Sequence, residues 1–390
     1  MILVFNAGSS SLKFGLFASN GMTERMAGTF DWKTDGLADV SIRRENSDEQ
    51  STQIEVSSHG DAVHKIVEAV SDLGQVREVG HRFVHGGERF REPTPLSCEI
   101  VEELHQLSQL APLHNPIALE VVQAAQAALP DVPQTAVFDT SFFASLPESA
   151  YRYPVPYDWY ETYGIRRYGF HGISHDYCAR RTVELLGQTP DRPLRIITCH
   201  LGNGCSATAT VGGVPMNTTM GLTPLEGLMM GTRSGSIDPG ILLHLLRQGM
   251  SVDAIDSALN RESGLLGVSG ISSDYRLLED RAESGDTRAK LAIKMFADRV
   301  SSSIASLGTS MGGLDAIAFT AGIGEHAVKL RAQVCGNLEF IGVNLSESRN
   351  QANPTDAIIS NDASRVKVLV IAAREELAIA QAILVGCQCN

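Results

Sequence analysis

No stretch of the sequence reaches the roughly 18 uninterrupted apolar residues that a membrane span requires. The apolar start, Met1-Ile-Leu-Val-Phe5, is short, follows no basic residue and stops at Asn6, so no secretory signal is expected. Positive charge is scarce: 32 Lys and Arg stand against 45 Asp and Glu, a formal net charge of −13. That balance argues against non-specific binding to nucleic acid or an anionic membrane, and an anionic substrate would need a local basic pocket. The seven cysteines, at 98, 178, 199, 205, 335, 387 and 389, form no CxxC pair and are odd in number. They read as reduced thiols of a cytoplasmic protein. The sequence also has no GxxxxGK[ST] phosphate loop, no HRD or DFG element and no HExxH. These absences disfavour two nucleotide-binding classes and a common zinc site.

What remains is a chain of 390 residues, 43% apolar and 20% charged, the profile of a globular protein with room for two domains. Its 36 glycines cluster in short apolar neighbourhoods, which suggests tight turns between buried strands. Apolar patterning predicts strands over 2–5, 12–17, 134–138, 194–199, 316–320 and 366–372. It predicts helices over 61–73, 98–110, 117–129, 241–247, 252–259, 288–311 and 375–385. The polar segment 29–55 has strand-like patches without clear limits. One weak repeat stands out. Ile2-Leu-Val-Phe-Asn-Ala-Gly-Ser-Ser-Ser11 and Ile196-Ile-Thr-Cys-His-Leu-Gly-Asn-Gly-Cys205 each read as a buried strand, a turn of small residues and a return strand. Such self-similarity suggests two related domains. Turns of this kind can offer backbone N–H groups to phosphate oxygens, although most only reverse the chain.

Four clusters combine reactive groups with glycine: Asn6 with Ser9, Ser11 and Lys13; 80–88; 167–172; and 220–235. Arg82 and Arg233 lie in apolar, glycine-bounded settings. A guanidinium there needs an anion, which is either a structural carboxylate or a substrate phosphoryl or carboxylate group. The pairs His81/His85 and His171/His175 have HxxxH spacing, but the flanking glycines argue against a regular helix and a zinc site is discounted. Asp139 directly follows a strand and Glu375 opens the last helix. Either carboxylate could hold magnesium through water, while Glu375 could simply complement the helix N-terminus.

Taken together, these clusters resemble the acetate kinase family of the actin, hexokinase and heat-shock chaperone ATPase superfamily. The resemblance rests on Asn6-Ala-Gly-Ser-Ser-Ser-Leu-Lys-Phe14, His81-Arg82, His85-Gly-Gly87, Ala111-Pro-Leu-His-Asn-Pro116, Phe138-Asp-Thr140, Arg167-Tyr-Gly-Phe-His-Gly172, His200-Leu-Gly-Asn-Gly204, the segment 221–235, Ser273-Asp-Tyr-Arg276 and Thr320-Ala-Gly-Ile-Gly-Glu325. It implies an α/β fold of two related ribonuclease H-like domains, an actin-like ATPase fold with a nucleotide cleft between them. The expected domains are 1–145 with 376–390, and 146–375, the latter binding nucleotide and pairing the homodimer.

The resemblance further implies a magnesium-dependent, reversible, direct in-line transfer of the ATP γ-phosphoryl group to acetate, with Mn²⁺ as a substitute metal. Propionate or another short fatty acid is the near alternative; an actin-like ATPase switch and a metallohydrolase are alternatives of other classes. The resemblance assigns Asn6 and Glu375 to the metal, and Arg82, Asp139, His171 and Arg233 to catalysis. It assigns Arg82, Val84, Leu113, His114, Phe170 and Pro224 to the acid. Nucleotide would meet Ser9, Ser11, Lys13, His200, Leu201, Gly202, Asn203, Gly204, Asp274, Tyr275, Arg276, Gly322, Ile323, Gly324 and Glu325. The chain departs from the usual family pattern at Ser236, Tyr275, His326 and Arg374, where Asp, Phe, Asn and Asn are common.

Overall fold

The structure, a computed structural model, describes residues 1–390 apart from 21, 35, 112, 113, 188–191, 389 and 390. The chain divides into two compact units, Met1–Ala144 with Arg374–Asn390, and Ser145–Ala373. Among the described residues each unit is built on one sheet.

The first unit carries β1 (Ile2–Ala7), β2 (Ser11–Phe17), β3 (Glu24–Thr34), β4 (Leu37–Arg44), β5 (Gln50–Glu55), β6 (Glu78–Phe83), β7 (Thr94–Pro95) and β8 (Gln134–Phe138). The second carries β9 (Arg195–Leu201), β10 (Cys205–Val211), β11 (Val214–Thr218), β12 (Ala316–Thr320), β13 (Ala357–Ile358) and β14 (Lys367–Val370). The order is β5-β4-β3-β2-β1-β6-β8-β7 in one sheet and β11-β10-β9-β12-β14-β13 in the other. Aligned on their central strands, β3-β2-β1-β6-β8 and β11-β10-β9-β12-β14 are the same arrangement. In both, an antiparallel hairpin leads into parallel strands. The weak sequence repeat is therefore a topological repeat.

The strands form where buried apolar runs demand them. β1 and β8 are buried along their whole length, as parallel central strands covered on both faces must be. β5 is almost wholly exposed, which explains why the pattern over 29–55 had no sharp limits. In the first unit, Leu3, Phe5, Phe14 and Leu16 pack with Val63, Ile66 and Val70 of the helix His59–Val70. That helix is started by Ser58, whose hydroxyl accepts the Asp61 N–H. The last helix, Glu375–Gln388, lies against β1, β2 and β6.

Two expectations need correction. The helix over 98–110 is α-helical only over Cys98–Leu107 and tightens to a 3₁₀ turn at Ser108–Leu110. A regular helix, Gly172–Leu186, runs through His175, where flanking glycines had argued against one. Gly172 is its first residue and no glycine or proline follows until Gly187, so glycine bounds this helix instead of breaking it. The cysteines 178, 199, 205 and 335 are buried free thiols. Burial raises the Cys178 and Cys199 thiols and pushes those of Cys205 and Cys335 up to about 12, which keeps them unreactive. No helix among the described residues is long and apolar enough to cross a membrane.

Candidate active site

In the first unit the parallel strands β1, β6 and β8 deliver polar residues at their C-terminal ends, where open α/β sheets bind ligands. Arg82 lies near the end of β6 and Asp139 immediately follows β8. The guanidinium meets one carboxylate oxygen twice, Nε at 3.2 Å and Nη2 at 2.6 Å from Asp139 Oδ2. Its Nη1 donates to Asn6 Oδ1 at 3.0 Å. The Asn6 amide in turn donates to Glu375 and Glu376, each at 2.8 Å, at the start of the last helix. Burial disfavours the Arg82 cation, but Asp139, Glu375 and Glu376 outweigh it and hold the group above its ordinary value. Lys13 sits opposite Asn6 in the β1–β2 ladder and is exposed, so the two share one face of the sheet.

The two hairpin turns are built alike. In the first, three carbonyls are occupied: Ser11 O accepts Gly8 N–H at 2.7 Å, Ser10 O accepts Trp32 N–H at 2.9 Å, and Gly8 O accepts His59 Nε2 at 3.0 Å. In the second, Gly204 O accepts Gly202 N–H at 3.1 Å, Asn203 O accepts Gly231 N–H at 3.0 Å, and Gly202 O accepts Cys205 Sγ at 3.1 Å. Among the described residues the N–H groups of Ser9, Ser10, Asn203 and Gly204 donate to nothing. Carbonyls tied inward with N–H groups left over make an anion-binding nest. Gly231 packs against Asn203: a Cβ there would come 2.1 Å from Asn203 Oδ1 and displace that side chain.

The second unit adds an arginine and three histidines. Arg233 is half-buried, and its Nη1 donates to Pro224 O at 2.8 Å. Among the described residues it meets no carboxylate, and burial lowers its affinity for a proton. His171 is held at φ 58° as the residue preceding the helix Gly172–Leu186, an uncommon conformation for a side-chain-bearing residue and one that gathers at functional sites. Its ring stacks on His200 with centroids 4.1 Å apart. A Cβ built on Gly204 would lie 3.4 Å from His171 Nε2 and 3.6 Å from Arg233 Nη2. Both groups therefore converge on the second turn, and the missing side chain of Gly204 leaves the space between them open.

Other anticipated residues are placed variously. Asp274 and Arg276 are exposed and paired with each other at 3.0 Å. Tyr275 is turned into the core, 3% exposed and packed on Phe296, so its ring is withdrawn from any base outside. Gly322 is exposed with open space around it. Ile323 and Glu325 are half-buried, Gly324 is buried, and Glu325 accepts the Ala373 N–H. Val84 and Phe170 are buried and Pro224 is half-buried. His114 precedes the helix Asn115–Ala128, and Leu113 lies outside the described residues.

Several supporting residues escaped the sequence reading. His59 and Trp32 fasten the first turn, and Glu376 joins Glu375. Arg167 donates to the carbonyls of Thr218, Thr219 and Met220 and pairs with Glu226, fixing the segment that carries Pro224. Buried Arg331 donates to the Gly324 and Glu325 carbonyls, and burial lowers it to about 10. Only Glu376, beside Glu375, and Arg167, inside a motif already singled out, had a local signal.

No three His, Cys, Asp or Glu side chains cluster in a metal-holding arrangement among the described residues. Glu375 and Glu376 nevertheless bring two hard carboxylates to the Asn6 amide, whose own oxygen is taken by Arg82. That pair suits a magnesium ion that keeps most of its water and takes the rest of its ligands from phosphates.

A model described as the acetokinase family matches residues 1–381. An acetate kinase of Synechococcus sp. is 46% identical over 98% of this chain and 98% of its own length. A propionate kinase of Citrobacter rodentium is 44% identical over 98% of this chain and 96% of its own. Among solved structures, a propionate kinase from Francisella tularensis superposes with a TM-score of 0.90 at 37% identity, covering 98% of both chains. Porphyromonas gingivalis acetate kinase gives 0.87 at 38%, covering 97% of this chain and 98% of its own. With the family model spanning residues 1–381 and relatives 44–46% identical over 98% of its length, the chain belongs to the acetokinase family.

Proposed function

We propose that this protein is a cytoplasmic acetate kinase, transferring the γ-phosphoryl group of ATP to acetate in one reversible in-line step. The observation that carries the reading is Arg233: a half-buried guanidinium that meets no carboxylate among the described residues, converging with His171 on a turn whose Asn203 and Gly204 N–H groups find no acceptor among them. Such a cation is costly until an anion meets it, and the planar fork suits a phosphoryl or carboxylate group.

The acid is ionised at neutral pH and needs no general base. Its oxygen attacks the γ-phosphorus, the new P–O bond forms as the bond to the β–γ bridging oxygen breaks, and ADP departs with that electron pair. The enzyme's task is to bring two anions together and stabilise a planar, partly dissociated phosphoryl group. Arg82, Arg233 and His171 present donors to its oxygens, and Asp139 orients Arg82. The turns at Ser9–Ser11 and Asn203–Gly204 cradle the phosphates with Lys13, and Asp274 and Arg276 meet the ribose with the backbone at Gly322–Ile323 under the base. Asn6 and Glu375 would hold Mg²⁺, which supplies charge neutralisation at the β- and γ-phosphates when bound.

Propionate is the second reading, because kinases named for propionate stand among the similar proteins. One methylene is worth only about 1–3 kcal/mol of discrimination. The test is ADP release with acetate, propionate and butyrate, with and without magnesium. Acid-dependent release, fastest with acetate and requiring a divalent ion, is expected; release independent of any acid would overturn the proposal in favour of an ATPase switch.

The helix Pro239–Arg247 buries none of its residues and, with the segment after it, exposes Ile241, Leu243, Leu246, Met250 and Val252. We propose that a second copy covers this face, and a solution mass of one 41.9 kDa chain would refute it.

A further inference from the structure

We propose that Thr198, His175 and Ser206 form a one-way hydrogen-bond chain that fixes His171 as the neutral Nε2–H tautomer and aims that proton at the transferring phosphoryl group. The inference rests on the functional reading above for what His171 meets, but not for its tautomer.

Three contacts make the chain. His171 Nδ1 lies 2.8 Å from Ser206 Oγ, Ser206 Oγ lies 2.7 Å from His175 Nε2, and His175 Nδ1 lies 2.6 Å from Thr198 Oγ1. Each hydroxyl has one proton to give, and each neutral ring donates from one nitrogen and accepts at the other. Three arrangements satisfy all three contacts with neutral rings, because a hydroxyl can accept twice. One, in which both rings donate to Ser206, leaves the proton of that fully buried hydroxyl with no partner among the described residues and is disfavoured on that ground. The other two use the Ser206 proton. In one, Thr198 donates to His175, His175 to Ser206 and Ser206 to His171, leaving the His171 proton on Nε2. In the other, every arrow reverses and the His171 proton sits on Nδ1.

Thr198 decides between them. It is fully buried on β9, and among the described residues its hydroxyl has no partner besides His175. In the first polarity its proton is used. In the second, Thr198 accepts from His175 and its own proton points at nothing. Leaving a buried donor unsatisfied disfavours the reversed chain by on the order of ten- to a hundredfold. Charging His171 would also place a proton on Nδ1, so that Ser206 accepts there and either the Ser206 or the Thr198 proton loses its partner. The stacked His200 ring, 4.1 Å away, further discourages charge on both rings. The Nε2 edge so protonated is the one beside Gly204 and Arg233. His175 and Ser206 are thus positioning residues, and His171 is a neutral donor next to a cationic one.

The test is the ¹⁵N spectrum of the full-length protein labelled at histidine, recorded at pH 7 without substrate. His171 is expected to show a protonated Nε2 and a pyridine-type Nδ1. In Ser206→Ala the His171 signals should move towards the mixed-tautomer position while turnover falls at least about tenfold and the KM for ATP holds. Ser206→Thr, which restores a hydroxyl, should recover both. A wild-type His171 protonated at Nδ1, singly or doubly, overturns the proposal whatever the variants do. Unchanged His171 signals in Ser206→Ala would overturn it as well. Because the spectrum needs no substrate, it succeeds or fails separately from acid-dependent ADP release.

Discussion

The two units share a strand order and a turn design, yet they keep their cations in opposite ways. Arg82 is surrounded: Asp139 takes two of its N–H groups, Asn6 a third, and Glu375 and Glu376 lie beyond. Among the described residues Arg233 has a single carbonyl and no carboxylate. A buried cation that is paired has most of its desolvation offset within the protein. One that is unpaired carries the penalty until a ligand arrives. The first is a fixed part of the fold, while the second, on the proposed reading, is matched only when an anionic substrate binds. On that reading, related folds supply one reaction with both a rigid and a ligand-dependent donor.

Removing each arginine tests this contrast, with the largest effects expected. Arg82→Ala and Arg233→Ala should each lose about a hundredfold or more in turnover, the usual size for one electrostatic donor. Stability should separate them. Arg82→Ala takes the guanidinium away from the Asp139 carboxylate, which is 1% exposed, and should cost about 3–5 kcal/mol in denaturant unfolding. Arg233→Ala removes one hydrogen bond and a desolvated charge together and should stay within about 1 kcal/mol of the parent. Adding Asp139→Asn to Arg82→Ala should return stability without returning activity. Equal destabilisation by the two single variants would erase the distinction.

Acid sharpens the comparison from the first unit's side. His81 and His85 are buried on and just after β6, and burial lowers both to about 4 from 6.5. Between those values the unfolded chain binds protons that the folded chain refuses, so stability falls as pH drops through that window. It is retained above about 6.5, and at full development each ring contributes roughly 3 kcal/mol of loss. His81→Gln should flatten the slope of unfolding free energy against pH between 6.5 and 4. An unaltered slope would mean that other groups drive the acid limb.

Much of this was legible before any coordinates. Asn6, the turn at 7–11 and the turn at 202–204 announced themselves because small residues after buried strands have few structural alternatives. Arg82 and Arg233 were visible as misplaced charges, but which had a partner was not. Asp139 is 57 residues from Arg82, and nothing local records that pairing. The His171/His175 spacing was noticed and a zinc site discounted, but what joins the two rings was not visible. Their partners Thr198 and Ser206 come from a hairpin more than twenty residues downstream, so the hydrogen bonds that link them leave no mark on the local spacing. Tyr275 shows the limit of a motif from the other side: the motif fixes the backbone, while the core decides where the ring goes.

The smallest effect lies in how the turns are fastened. The first borrows its fastener from afar: His59, its ring tilted against Trp32 with centroids 4.5 Å apart, gives its Nε2 proton to the Gly8 carbonyl. The second uses its own neighbour, the weak S–H donor of Cys205, on Gly202. Loss of His59 should let the Gly8 peptide rotate and weaken the nest, a change of about one hydrogen bond. His59→Ala is therefore expected to raise the KM for ATP about fivefold and leave the KM for acetate alone. His59→Gln, which keeps an N–H donor, should restore most of the difference, as a purely space-filling role would not. Cys205→Ala should move the same constant less, because the thiol gives up a weaker bond and the hairpin ladder on either side still holds the turn. If the cysteine variant matched or exceeded the histidine variant, long-range fastening would not be what distinguishes the first turn.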